Sequence, residues 1–339
     1  MPENMKAWVY DGAAGGLEKN LYQPAVYHKP LTASLSNQQV MVEVISMALN
    51  PADYKIPELG LIAKAMVSTP ASPGMDFCGR VAETGRAIDS LQIGELVFGY
   101  TGGPVKFGTL GQFCIAPKDC CVPLPAGVDV DDAAALPGAG LTAYQSIKGN
   151  VKEGDKIFIN GGSGGVGTFA IQIGKILGCH VTVSCSGANA ELCKSIGADE
   201  VIDYKSVDLI EELKKKGEVF SLIIDNVGTP AGLYKASNAF LLPKGKYVQV
   251  GADTSLSATA NIMGNFMTPR FFGGGSRKYE FLSIKPSYED FLQLGKWMRD
   301  GKLKAVIDSK FEYEDARKAF EKLRTGRAKG KIIIHVGKK

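Results

Sequence analysis

Histidine is nearly missing from this chain: 339 residues include only three, His28, His180 and His335. None neighbours a cysteine in a ligand-like pattern, and His180 opens an apolar stretch where a packed or surface role is the ordinary one. The seven cysteines, Cys78, Cys114, Cys120, Cys121, Cys179, Cys185 and Cys193, form no C-x-x-C pair. Ligand spacing for zinc is therefore absent, and no metal is expected. An odd number without framework spacing also excludes a disulfide-stapled domain and fits a reducing compartment. No run of about 18 apolar residues exists to span a bilayer. The start, Met1-Pro2-Glu3-Asn4-Met5-Lys6, lacks the apolar core of a signal peptide, so a cytoplasmic location is expected. An excess of one charge is missing too. The net charge of +4 gives no reason to invoke nucleic acid or an acidic membrane surface.

What remains is an ordinary globular composition, 45% hydrophobic and 22% charged, over a length that suits two domains. Residues 1–130 read as β-rich. Short alternating segments such as Gln39-Val40-Met41-Val42-Glu43-Val44 and Gly111-Gln112-Phe113-Cys114-Ile115-Ala116 are separated by Gly, Pro and Asp, which suggests a small, partly open barrel. At Asp131-Asp132-Ala133-Ala134-Ala135 a helix begins, with acids in its first turn where the helix dipole favours them. Strands are then expected at 156–160, 180–184, 200–203, 219–225 and 245–250 with helices between them, the pattern of a doubly wound parallel sheet. Asn261 to Arg277 is glycine-rich and aperiodic and reads as a mobile loop. Its Phe266, Phe271 and Phe272 are candidates to cover a flat substrate, or equally core or dimer contacts. From about 285 the chain returns to helix and ends in the strand Lys331-Ile332-Ile333-Ile334-His335-Val336, expected to pack back on the first domain.

The most informative segment is Lys156-Ile157-Phe158-Ile159-Asn160 followed by Gly161-Gly162-Ser163-Gly164-Gly165-Val166-Gly167 and a helical run. Gly162, Gly164 and Gly167 satisfy the dinucleotide fingerprint, in which a backbone without side chains lets a pyrophosphate rest on a helix N-terminus. The pattern is common by chance, but the strand before it and the helix after it are the required context. In the NAD version an acid about 20 residues on holds the ribose 2′-hydroxyl. Here the second strand runs Val181-Thr182-Val183-Ser184-Cys185-Ser186-Gly187, and the first acid after it is Glu191. Ser186, Asn189 and Tyr204 could accept a 2′-phosphate that a carboxylate would repel, so NADPH is favoured over NADH. No arginine or lysine lies between Ser186 and Asn189. The alternative is that Ser186 and Asn189 turn the chain and cap the next helix. Asn226-Val227-Gly228 and Gly251-Ala252, after later strands, should line the cofactor site or serve only as turns.

Five further motifs carry a resemblance: Ala48-Leu49-Asn50-Pro51-Ala52-Asp53-Tyr54-Lys55, Pro73-Gly74-Met75-Asp76-Phe77-Cys78-Gly79, Ala135-Leu136-Pro137-Gly138-Ala139-Gly140-Leu141-Thr142-Ala143-Tyr144, Gly197-Ala198-Asp199-Glu200-Val201-Ile202-Asp203-Tyr204 and Gly326-Arg327-Ala328-Lys329-Gly330-Lys331-Ile332. With the glycine loop they cover the chain from about residue 40 to its end. The chain resembles the zinc-independent medium-chain dehydrogenase/reductases of the quinone oxidoreductase type, related to zeta-crystallin and the chloroplast-envelope quinone oxidoreductase homologues. Zinc-dependent relatives carry Cys and Gly-His-Glu where this chain has Asn50 and Gly74-Met75-Asp76. The resemblance implies an α/β protein: a GroES-like β-barrel catalytic domain, 1–130 completed by 285–339, and a Rossmann domain over 131–284. It implies hydride transfer from NADPH to a quinone or an α,β-unsaturated carbonyl. It places Thr142 at the nicotinamide ribose, Ser163, Gly164, Gly165 and Val166 at the pyrophosphate, Ser186, Asn189 and Tyr204 around the 2′-phosphate, and Lys331 near the pyrophosphate. It also implies a homodimer joined edge to edge, through Tyr279 to Ile284.

Hydride delivery to an enone or quinone builds negative charge on the carbonyl oxygen, which must be stabilised or protonated. Asn50, Tyr54 and Lys55 share one short loop, which faces the nicotinamide in relatives. Lys55 is the strongest donor and Tyr54 the alternative acid. Composition alone would make the loop an ordinary turn and Lys55 a solvated residue. Asp53 is expected to cap the turn rather than act as a base. Asp76 is expected to hold the barrel by hydrogen bonds, and Cys120-Cys121 to be structural. The first functional expectation is an NADPH-dependent quinone reductase. The second reduces the double bond of 2-alkenals or enones. A third, of a different class, is a crystallin-like NADPH- or RNA-binding protein with little turnover, against which the absent basic patch argues for RNA.

Overall fold

The computed structural model describes residues 3–251 and 276–338 and divides the chain into two compact units, Met1–Leu141 with Pro286–Lys339, and Thr142–Lys285. The expected mobile loop and its three phenylalanines lie outside the described residues, apart from Ser276 and Arg277.

The first unit is organised by one seven-stranded sheet. Its strands are β1 (Gln39–Leu49), β2 (Asp76–Thr84), β3 (Leu96–Tyr100), β4 (Phe113–Pro117) and β5 (Cys121–Pro123). Two more come from the tail, and after numbering the strands of the second unit they are β12 (Ile307–Glu312) and β13 (Lys331–His335). The order is β12-β13-β1-β2-β3-β5, with β4 also on β1. β1 is buried almost throughout because it has neighbours on every side; its register breaks between Met41 and Val42 and between Val44 and Ser46, the places where the strand bends. Register sets up the chemistry. Leu49 pairs with Ile332 across β1 and β13, and Ala48 pairs with Asp76 across β1 and β2. Asn50, Asp76 and Lys331 therefore meet at one end of the sheet.

The break between units falls after Leu141 rather than at 130. The reason is Asp131, in the helix Val130–Ala135. Its fully buried carboxylate accepts from Ser46 Oγ at 2.9 Å and Lys310 Nζ at 2.6 Å and lies 3.2 Å from His335 Nε2, which ties this helix to the barrel strands.

The second unit holds six strands: β6 (Lys156–Asn160), β7 (His180–Cys185), β8 (Glu200–Asp203), β9 (Phe220–Asp225), β10 (Leu241–Gln249) and β11 (Lys278–Phe281). All pairings are parallel and the order is β11-β10-β9-β6-β7-β8. The chain starts in the middle at β6, winds out to β8, then returns to β9 on the other side. This is the doubly wound arrangement, with its switch point between β6 and β9, where open sheets bind ligands beyond the strand ends. Apolar runs such as Phe220-Ser221-Leu222-Ile223-Ile224 fit strands covered on both faces. Phe158, Phe220, Ile223 and Tyr247 join helix residues Leu209 and Leu213 in one core cluster. β11 is an edge strand with Phe281 exposed. No helix among the described residues is long and apolar enough to cross a membrane.

Candidate active site

In the second unit β6 runs straight into the glycine turn, and the helix Gly165–Ile176 follows with no side-chain cap at its start. Gly161 takes φ +84°, a conformation that L side chains rarely adopt. A Cβ on Gly167 would sit 2.1 Å from the Gly161 carbonyl oxygen, so only glycine lets helix and turn approach this closely. Uncapped N–H groups at the start of a twelve-residue helix form a cradle for an anion. Ser163, Gly164, Gly165 and Val166 all lie in that turn.

The turn is pinned from below by a buried polar network. Asn160, closing β6, donates from Nδ2 to Asp225 Oδ1 at 2.8 Å and to the Thr229 carbonyl at 2.7 Å, and accepts from Ser184 Oγ at 2.6 Å. Ser184 Oγ in turn accepts the Gly161 N–H at 3.1 Å. Asp225 Oδ1 also accepts the N–H groups of Val227 and Gly228, and Tyr247 donates to its Oδ2 at 2.6 Å. Burial and the neighbouring carboxylate push the Tyr247 phenol well above its ordinary range, which keeps it a donor. Sequence reasoning missed this network. Its one visible signal is an aspartate closing the apolar strand Phe220–Asp225.

Around this turn the expected cofactor residues fall as follows. Asn189 Nδ2 donates to Ser163 Oγ at 2.9 Å, joining the glycine turn to the end of β7. Neither Ser186 nor Asn189 makes a side-chain cap bond, although each stands at the start of a short helical segment. Tyr204, past β8, is half exposed. Asp203, overlooked in the sequence, turns its carboxylate onto the Lys205 N–H and the Ser206 hydroxyl. These donors hold its carboxyl below the usual range. The Asn226 amide is buried at both Nδ2 and Oδ1 with no hydrogen-bond partner. Val227 is exposed, and a Cβ on Gly251 would meet the Asn226 carbonyl oxygen at 2.0 Å. Thr142 opens this unit, and its carbonyl accepts from Ser146 Oγ at 2.7 Å. An orphaned buried amide and a glycine-lined cradle fit a dinucleotide, whose chemistry when bound is hydride transfer.

In the first unit, Asn50 precedes the short helix Pro51–Lys55, and Asp53 Oδ2 accepts the Asn50 N–H at 2.7 Å, the expected cap. The Asn50 amide is held at both ends. Nδ2 donates to Asp76 Oδ2 at 2.8 Å, and Oδ1 accepts from Lys331 Nζ at 2.6 Å. Lys331, 2% exposed, also pairs with Asp76 Oδ2 at 3.2 Å, and Asp76 Oδ1 accepts the Gly138 N–H at 2.9 Å. The lysine expected near the pyrophosphate thus spends its ammonium on Asn50 and Asp76.

Two buried carboxylates face one ammonium here. Burial raises both, and Asp53 is pushed up to about 8. Asp76 receives Lys331, Asn50 and Gly138 as donors, which counter part of the cost of its burial; Asp53 receives one backbone N–H and, pushed up to about 8, holds the proton at neutral pH. Asp53 Oδ1 has no hydrogen-bond partner, nor has Ser72 Oγ; both residues line a cavity of about 20 Å³ with Tyr10, Gly74 and Met75. These residues do not fit zinc. The Asp76 carboxylate, where zinc-dependent relatives carry Gly-His-Glu, is taken by an ammonium and two N–H donors, and all seven cysteines are buried as free thiols. Tyr54 and Lys55, both half-buried, end the same helix.

Known proteins share this fold. Residues 36–126 match the model of the alcohol dehydrogenase GroES-like domain, and residues 196–334 that of the zinc-binding dehydrogenases. The trans-enoyl reductase pgmF of Aspergillus terreus is 48% identical, covering 99% of this chain and 97% of that protein. The chloroplast envelope quinone oxidoreductase homolog of Arabidopsis thaliana is 30% identical over 96% of this chain and 95% of that protein. The chain belongs to the zinc-independent medium-chain dehydrogenase/reductase family. The structure of the quinone oxidoreductase from Coxiella burnetii superposes with a TM-score of 0.84 at 28% identity, covering 98% of this chain and all of that one. The protein is an oxidoreductase of this family with a GroES-like domain and a nicotinamide-binding Rossmann domain.

Proposed function

We propose that this protein reduces the carbon–carbon double bond of an α,β-unsaturated carbonyl compound with NADPH. The observation that carries the reaction class is the hydrogen-bonded cluster of Asn50, Asp76 and Lys331, whose donor set does not fit zinc. Where zinc would polarise a carbonyl, Lys331 and Asp76 instead hold an amide in one orientation beside Tyr54 and Lys55. Hydride adds to the β-carbon, charge moves to the carbonyl oxygen, and one proton completes the saturated product. Asn50 and Lys55 are the donors for that oxygen, and Tyr54 is the proton donor. The 48% identity to a trans-enoyl reductase supports an enone ahead of a quinone, reversing the order that sequence patterns suggested.

The choice of NADPH is supported by the end of β7, where the strand closes without an acid, Ser186 and Asn189 leave their side chains off the helix caps, and the neighbouring Asp203 carboxylate is taken up by the Lys205 N–H and the Ser206 hydroxyl. Ser163 to Val166 would hold the pyrophosphate, with Thr142, Asn226, Val227 and Gly251 toward the nicotinamide half. Moving Lys331 to the pyrophosphate would strip Asp76 of its counter-ion, so we assign it to Asn50. We also propose a homodimer through edge strand β11.

Quinone reduction is the second reading, favoured by the Arabidopsis and Coxiella relatives. Steady-state NADPH oxidation with a 2-alkenal and with 1,2- and 1,4-naphthoquinone separates the two. Turnover with the quinones alone would overturn the enone proposal, and turnover with neither would favour a binding protein.

A further inference from the structure

The C-terminal helix Ala316–Arg324 delivers its last residue to the same short helix that carries Tyr54. The Arg324 guanidinium carbon lies 4.5 Å from the centroid of the Tyr54 ring. Its in-plane donors are used elsewhere. Nε and Nη2 donate to Glu18 Oε2 at 3.0 and 2.7 Å, Nη1 donates to Glu58 Oε2 at 3.3 Å, and Nη2 also meets Glu58 Oε1. A planar guanidinium with its edge bonded to two carboxylates has only its faces left, and one of them covers the phenol.

The clamp is built from three distant parts of the chain. Glu58 Oε1 also accepts the Leu17 N–H at 2.9 Å, which binds the N-terminal segment to the residues just beyond Tyr54. Glu18, only 6% exposed, fits because Gly16 has no side chain: a Cβ there, at φ +118°, would lie 2.4 Å from Glu18 Oε1. An arginine carrying two carboxylates is a poor free cation, so its long-range charge is largely cancelled. What survives is orientation.

We propose that Arg324, held by Glu18 and Glu58, is a positioning residue that fixes the plane of the Tyr54 ring for proton delivery. This rests on Tyr54 being the proton donor of the enone reduction. A small error in the placement of a proton donor lowers the chemical step without weakening cofactor binding, because the clamp touches no cofactor residue. Lysine would keep the charge but not the flat face.

The test is a double-mutant cycle with NADPH and 2-hexenal, comparing wild type, Arg324→Gln, Tyr54→Phe and the double variant. Gln removes the guanidinium over the ring and retains an amide N–H₂ that can donate to the glutamates. Arg324→Lys stands in if Arg324→Gln melts early. Expected is a fall in kcat of about tenfold for the Arg324 variant, with KM for NADPH within about twofold, and no further fall in the Tyr54→Phe background. An equal fall in both backgrounds, an unchanged kcat, or a loss confined to KM would overturn the positioning role while leaving Tyr54 as donor. Full turnover in Tyr54→Phe would instead remove Tyr54 as donor, and the proposal with it.

Discussion

Replacing Asp53 by asparagine should make the first unit less sensitive to pH without weakening it near pH 5. Asp53 is 3% exposed, and burial beside Asp76 raises its carboxyl to about 8 against an ordinary 3.8. A carboxyl raised in the folded state binds its proton more tightly there than in the unfolded chain. Its contribution is therefore most favourable below about pH 4, declines as pH rises, and levels off once the folded carboxyl ionises near pH 8. Each pH unit in that window removes about 1.4 kcal/mol, so wild type should lose at most about 4 kcal/mol between pH 5 and pH 8 relative to Asp53→Asn. Asparagine retains an oxygen to accept the Asn50 N–H, so the two proteins should agree within about 1 kcal/mol at pH 5. Both tryptophans, Trp8 and Trp297, belong to this unit, and urea unfolding followed by their fluorescence reports on it selectively. Parallel pH dependences for the two proteins would refute the buried neutral acid. So would an asparagine variant that is already far less stable at pH 5.

Other substitutions probe the remaining parts. Gly167→Ala places a methyl 2.1 Å from the Gly161 carbonyl oxygen; it should cost about 2–3 kcal/mol and weaken NADPH binding more than tenfold by calorimetry. Ser186→Asp should raise KM for NADPH about tenfold or more and leave that for NADH nearly unchanged, because a carboxylate would face the 2′-phosphate. Lys55→Ala should lower kcat about a hundredfold with NADPH affinity retained, measured by fluorescence titration; unchanged turnover would remove Lys55 from the chemistry.

How much of this was legible in the sequence depends on how far apart the partners lie. β6 and its glycine turn could be read directly, because a buried strand, a turn that only glycine can make and a helix are adjacent in sequence. β8 was placed at Glu200–Asp203 for the same local reasons. The cap by Asp53 was readable, but its burial was not, since that depends on Asp76 and on the residues lining its cavity. Asn160 and Asp225 stand 65 residues apart, and Lys331 stands 255 from Asp76. Only strand order and register bring such pairs together. The boundary at Leu141 was missed because a helix beginning with aspartates looked like the start of a new domain. Its Asp131 is instead bound to Ser46 and Lys310 of the barrel.

The central claim is that hydride goes from NADPH to the β-carbon of an enone without a metal. It is tested most directly by one turnover in metal-free buffer, with NADPH carrying deuterium in its transferable position and a 2-alkenal as acceptor. Mass spectrometry and NMR of the product should find the saturated aldehyde with a single deuterium on the β-carbon. Deuterium on the carbonyl carbon of an allylic alcohol, or alkenal recovered unreduced while a naphthoquinone is consumed, would contradict it.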